Sequence, residues 1–239
     1  MLTYILELKT LLKKVVLISG GSAVGKTAVL RNIIPLLQNK GMHLSVCKID
    51  CVATDDAAIF NHMNVPCVVG ISGDICPDHF LVSNLHELYQ WSYKENCDIL
   101  LIETAGLCHR CSPATQKMLA GCVIDCTSSC RAPAQLGPML THADFVVLTK
   151  IDMVSQAERE IILWKINEIN PNAKLFTIDG LTGYGAEGLS NWLDKTDMAE
   201  DLDEDILRHS MPSGVCSYCV GEKRVGSAYQ QGVVGKIEF

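Results

Sequence analysis

Twelve cysteines and one glycine-rich turn ending in Lys-Thr carry most of the chemistry open to this 239-residue chain. The turn is GGSAVGKT, Gly20 to Thr27, set directly after the apolar run VVLIS and before a helical pattern. Gly20, Gly25, Lys26 and Thr27 satisfy the GxxxxGKT spacing. In that context the backbone N–H groups of Gly20, Gly21, Ser22, Ala23, Val24 and Gly25 wrap a β-phosphate. The Lys26 ammonium reaches the β- and γ-oxygens, and the Thr27 hydroxyl meets Mg²⁺.

Two later stretches agree with this reading. ILLIETAG ends an apolar run with Glu103, and Gly106 follows at the spacing where a glycine amide meets a γ-phosphate, with Glu in place of the usual Asp. FVVLTKID ends another run with Thr149, Lys150 and Asp152. A carboxylate there can accept both guanine N1–H and N2–H₂ while the lysine stem covers the base, which argues for GTP over ATP. Thr149 stands where guanine readers usually carry Asn.

Ten of the cysteines divide into two sets. Cys47, Cys67, Cys97 and Cys122 lie in or beside apolar runs and are expected to pack as small core residues. Cys108 and Cys111 form a CxxC in LCHRC, Cys126 and Cys130 follow in CVIDCTSSC, and Cys216 and Cys219 form a second CxxC near the C-terminus. One CxxC presents two thiolates and a closed site needs four ligands. The two pairs could together complete a tetrahedral zinc site or a [4Fe–4S] cluster, or each could pair with its own copy across a dimer; spacing does not separate these arrangements.

The elements that must hold these residues are legible as short β-rich runs alternating with longer helical patterns. That rhythm implies an α/β fold, a doubly wound, mostly parallel sheet with helices on both faces. Continuous apolar strands such as ILLIE and FVVL imply burial on both sides. Helices are expected from Lys26 to about Lys40, with a kink at Pro35, through HFLVSNLHELYQWSY, and through AEREIILWKINEI. Residues 1–196 form the expected main domain, and residues 197–239 an acidic linker and a CxxC-bearing extension. A net charge of −7 with an isoelectric point near 5.5 excludes a broad basic face for nucleic acid or an anionic membrane. No apolar stretch reaches the roughly 18 residues of a membrane span, and the N-terminal run lacks a small-residue cleavage site, so a cytoplasmic location is expected.

In their order along the chain, GGSAVGKT, IDCVATDDA, SGDICPDH, LLIETAG, VVLTKID and TGYGAEGL resemble the nickel-insertion GTPases of the SIMIBI class, the family of HypB, UreG and the CobW-type metallochaperones. The resemblance covers roughly Val15 to Leu193. It implies a P-loop GTPase whose subunits join as a homodimer around GTP and a metal, and whose hydrolysis releases that metal to a client apo-metalloenzyme. It also implies roles for single residues. Asp50 matches an acidic residue near Mg²⁺, and Asp56 matches the aspartate six positions later in the same switch segment. Lys26, Asp50, Asp56 and Glu103 form the expected catalytic set. Cys76 and His79 match the ligands of the transported metal, with Asp78 inserted between them relative to the Cys-Pro-His of the urease relative. One thiolate and one imidazole from each of two subunits suit Ni²⁺ or Zn²⁺, and nickel is favoured. The alternative is an iron–sulfur carrier or redox-linked switch with the cysteines holding a cluster.

Overall fold

The structure is a computed structural model, and it describes residues 14–52, 55–107, 109–196, 205–210, 221–230, 232 and 234–239. Seven strands, β1 (Lys14–Gly20), β2 (Leu44–Asp50), β3 (Cys67–Ile71), β4 (Ile99–Glu103), β5 (Leu119–Asp125), β6 (Phe145–Thr149) and β7 (Lys174–Thr177), make one sheet. Every pairing in it is parallel, and the strand order is β3, β2, β4, β1, β5, β6, β7. After β1 the chain builds outward through β2 and β3, returns to β4, and then crosses to β5 on the other side. The order therefore reverses at β1, whose carboxyl end opens the crevice where ligands of such sheets bind.

Alternation along β1 shows how the sheet is buried. Val15 and Leu17 face a cluster containing Leu81 of α3 (Pro77–Val82) and Leu85 and Leu88 of α4 (Leu85–Lys94), where α1 is Lys26–Gln38 and α2 is Asp56–His62. Val16 and Ile18 face the opposite cluster, with Val29, Ile33 and Leu37 of α1. All four β1 side chains are fully buried. Continuous apolar strands thus mark a sheet covered on both faces, as expected.

Among the described residues the remaining helices are the single turns α5 (Ala132–Gln135) and α6 (Pro138–Thr141), then α7 (Gln156–Ile169) and α8 (Ala186–Lys195). A capping box starts α7: Glu158 N–H donates to the Ser155 hydroxyl, and the Glu158 carboxylate accepts from Ser155 N–H. Pro35 lies inside α1, which runs on to Gln38. The single helix expected through HFLVSNLHELYQWSY is two helices, α3 and α4. The break falls at Ser83 and Asn84, whose side chains take over nearby carbonyls: Ser83 Oγ donates to His79 O at 2.9 Å, and Asn84 Nδ2 to Phe80 O at 2.7 Å.

Parts of the C-terminal extension pack on the domain. Leu207, Val225 and Ile237 are buried in the α3/α4 cluster. Arg208 donates to the carbonyls of Thr115 and His142, both at 2.8 Å, and pairs with Asp144 at 2.8 Å. Asn84, fully buried, joins the break between α3 and α4 to the chain end. Its Nδ2 also donates to Gly235 O at 2.9 Å, and its Oδ1 accepts from Ile237 N–H at 3.0 Å. Asn84→Ala leaves these buried backbone groups unpaired, so urea denaturation should show unfolding free energy lowered by about 1–3 kcal/mol. A change below about 0.5 kcal/mol would mean that the chain end contributes nothing to folding stability.

Candidate functional site

The crevice at the end of β1 is built first by backbone. Gly20, at φ 143°, leaves its strand so close to β5 that a Cβ there would lie 2.5 Å from Val123 O. The turn then passes through Ala23, at φ 57°, an uncommon conformation for a residue with a side chain, and Gly25, at φ 97°, before α1 begins at Lys26. Lys26 folds back over this turn, its Nζ donating to Gly21 O at 2.7 Å and Gly20 O at 3.2 Å. Burial lowers its pKa, with Glu103 opposing the shift and Lys48 adding to it.

Around Lys26 lies a cleft lined by Ser22, Thr27, Lys48, Asp50, Glu103 and Thr104. Thr27 Oγ1 donates to the Glu103 carboxylate at 2.8 Å, and Lys48 Nζ meets the same carboxylate at 2.9 Å and Asp56 at 2.5 Å. Asp50 lines the cleft and accepts from Cys51 N–H at 2.7 Å. Asp56 therefore turns to Lys48; the cap residue of α2 is Asp55, and no side-chain bond caps it. The hydroxyl and carboxylates of this set are oxygen donors of the kind Mg²⁺ takes, gathered beside a turn whose shape suits phosphate, so the residues fit that ion. Gly106, at φ 76°, presses on the turn: a Cβ there would lie 2.5 Å from Gly20 O and 2.7 Å from Lys26 Nζ.

On the β6 side the expected base loop is tied to the same turn. Thr149 is buried, and its hydroxyl donates to Val24 O at 2.7 Å, so it serves as a strut between the two loops. Lys150, at φ 53°, reaches Ala23 O at 3.3 Å and pairs with Asp125 Oδ2 at 2.5 Å. Burial alone would raise the Asp125 pKa, but bonds from Lys150 and from Thr127 hold it below the ordinary value. Asp152 stands exposed in the short 3₁₀ turn Ile151–Met153. The sequence reading missed Lys48 and Asp125. Each had a signal, a charged residue in the carboxyl half of a largely apolar strand.

The residues expected to hold a transported metal lie at the start of α3. Cys76 caps the helix and is half-buried, and the inserted Asp78 accepts from the Cys111 thiol at 3.2 Å. Burial pushes the Asp78 pKa up to about 7, with Cys76 adding to the rise and the Cys111 bond opposing it. His79 is buried and lines a small pocket with Val82, Arg224 and Tyr229. Cys108, Cys216 and Cys219 lie outside the described residues, and so does any pairing of the two CxxC motifs. Among the described residues no group of three or more His, Cys, Asp or Glu could hold a metal ion. Cys47, Cys97 and Cys122 are buried core residues, as are Cys111 and Cys126; Cys67 is half-buried. Two residues before Cys111, His109 packs on the glycine turn, with Nε2 3.6 Å from where a Cβ on Gly21 would lie.

Residues 14–177 match the nucleotide-binding domain of the CobW/HypB/UreG family. An uncharacterized protein of Methanocaldococcus jannaschii is 44% identical over 225 residues, 94% of this chain and 96% of that one. The urease accessory protein UreG of Photorhabdus laumondii is 28% identical over 206 residues, 76% of this chain and 93% of its own length. Among solved structures, HypB from Archaeoglobus fulgidus superposes with a TM-score of 0.63 at 21% identity, covering 80% of this chain and 92% of that one. HypB from Helicobacter pylori in complex with nickel superposes with a TM-score of 0.61 at 18% identity, covering 81% and 89%. These two likenesses show the fold.

Gly106 supplies a test of whether the contact between these loops shapes the cleft. Gly106→Ala must push the loop after β4 away from Gly20 and Lys26, so titration with a fluorescent GTP analogue should show nucleotide affinity reduced by about tenfold or more. Unchanged affinity would mean that the contact between these loops does not shape the nucleotide site.

Proposed function

The chain belongs to the CobW/HypB/UreG family, and from that premise we propose that it is a GTP-hydrolysing metallochaperone that binds a thiophilic metal, nickel by preference, and gives it to a client metalloenzyme. The observation that carries this reading is the loop after β4. His109 rests on the phosphate-binding turn and Cys111 bonds to Asp78, two positions from Cys76. One short segment thus touches both the turn that meets the nucleotide and the motif that carries the thiol.

The residues divide the work by type. Lys26 neutralises charge growing on the β- and γ-phosphate oxygens during transfer to water, and the amides from Gly21 to Gly25 hold the phosphates in line. Mg²⁺, held through Thr27 with Asp50 and Glu103, supplies further charge neutralisation when bound. Asp56 and Glu103 position the attacking water. Asp152 accepts the guanine edge while the Lys150 stem, braced by Asp125, covers the base.

A dimer closed around nucleotide and metal agrees with two exposed apolar residues beside the cleft. Val52, two positions beyond Asp50, is 69% exposed, and Leu107, next to Gly106, is 64% exposed. A second copy of the chain would cover them. Ni²⁺ or Zn²⁺ is then the cargo, held by Cys76 with His79 and released when hydrolysis reopens the switch. The protein works in the cytoplasm.

Two measurements test this function. Elemental analysis of anaerobically purified protein dialysed against Ni²⁺ should show nickel retained with a non-hydrolysable GTP analogue and lost with GDP, and Cys76→Ser should abolish the nucleotide-dependent fraction. Equal retention in both nucleotide states would count decisively against a metallochaperone. Asp152→Asn loses a charge-assisted contact to guanine, so GTP affinity should fall by about 1.5–3 kcal/mol while ATP affinity stays put. An unaltered GTP/ATP preference would remove the guanine assignment.

A further inference from the structure

Lys48 stands apart from the machinery assigned so far. It is a lysine within β2, 6% exposed, on a strand otherwise buried along its length. The parallel register sets it directly beside Glu103 of β4. Its ammonium meets Asp56 at 2.5 Å, Glu103 at 2.9 Å and the Thr27 hydroxyl at 3.4 Å. Two carboxylates thus lie within ion-pair distance of this ammonium.

These partners have a second claimant. Thr27 and Glu103 are oxygen donors suited to a divalent cation, and Asp50 lines the same cleft. An ion placed on Thr27 and Glu103 would lie against the Lys48 ammonium, a repulsion strengthened by burial. Lys26 adds a second positive charge to the cleft. Asp50, Glu103 and Asp56 against Lys26 and Lys48 leave these five side chains a net charge of only −1, too little to draw in a free dication against two ammonium groups. Triphosphate changes that balance. Its charge gives Lys48 a new counter-ion and lets it leave Glu103 without being stranded.

Resting on the reading of this cleft as a Mg²⁺–nucleotide site, we propose that Lys48 is a built-in counter-ion that competes with the divalent cation for Glu103 and Thr27, so that the cation enters only with the phosphates. The device keeps bare metal ions, the cargo included, out of the phosphate site. A protein that handles a second metal needs that separation. Lys48 is a positioning residue in this scheme, and it acts through Glu103 and Thr27.

The test uses Mn²⁺ as the probe, followed by electron paramagnetic resonance, on protein stripped of nucleotide. Lys48→Met should bind Mn²⁺ roughly tenfold or more tightly than wild type, and a GTP analogue should narrow the gap. Circular dichroism confirms folding, and Lys48→Gln, which removes the charge but keeps a donor for Glu103, carries the same comparison should the methionine variant not fold. Lys48→Arg keeps the charge and should bind Mn²⁺ as weakly as wild type. Equal Mn²⁺ affinity in wild type and the uncharged variants, or tight binding by Lys48→Arg, overturns the proposal. Since the readout needs neither GTP hydrolysis nor nickel, a protein that fails as a metallochaperone can still pass, and one that carries nickel can still fail.

Discussion

Two neighbouring strands carry opposite charges in register near their carboxyl ends, and the cleft depends on that pairing. Lys48 on β2 and Glu103 on β4 are both nearly buried, and a buried charge is tolerated only when it is paired. Because side chains alternate along a strand, a slip of one residue between β2 and β4 would send Lys48 to the other face, among Leu17 and Ile102. The ion pair and the apolar faces therefore select the same register. Thr27 at the start of α1 and Asp56 at the start of α2 then converge on those two strand ends, which places the phosphate turn and the switch segment against one another.

The glycine turn has contacts on three further sides. Thr149 and Lys150 bind its carbonyls from β6, Gly106 presses on it from β4, and His109 rests on Gly21. Each contact uses backbone of the turn, so a displacement there is felt by the base loop, the loop after β4 and Cys111 together. The packed sheet beneath supplies the rigid reference. The positive φ at Ala23 and Lys150 is held by this network of contacts, which is how uncommon backbone conformations persist at sites of function.

Much of this was legible in sequence because it is local. GGSAVGKT declares its conformation within eight residues, and apolar runs without alternation declared a sheet covered on both faces. What escaped was set by tertiary contact. Lys48 is one of three polar residues in LSVCKID, and only the β2–β4 register gives it Glu103 as a partner. Thr149 looked like a substitute reader of the base, yet its hydroxyl is spent on Val24 O. The break between α3 and α4 rests on side chains of Ser83 and Asn84 bonding backward to carbonyls, a choice that helical periodicity across the segment concealed. In the C-terminal part, Leu207, Val225 and Ile237 are too far apart in a glycine-rich segment to show any period, although each is buried.

The central claim is that the phosphate turn and the thiol motif are energetically coupled, and coupling between two binding equilibria must be reciprocal. The most direct test is the dissociation constant of a non-hydrolysable GTP analogue, by isothermal calorimetry with Mg²⁺ present, with and without saturating Ni²⁺. The account predicts that nickel tightens the analogue by about fivefold or more, the lower end of typical coupling energies, with no such effect on GDP. An analogue affinity indifferent to nickel would contradict it.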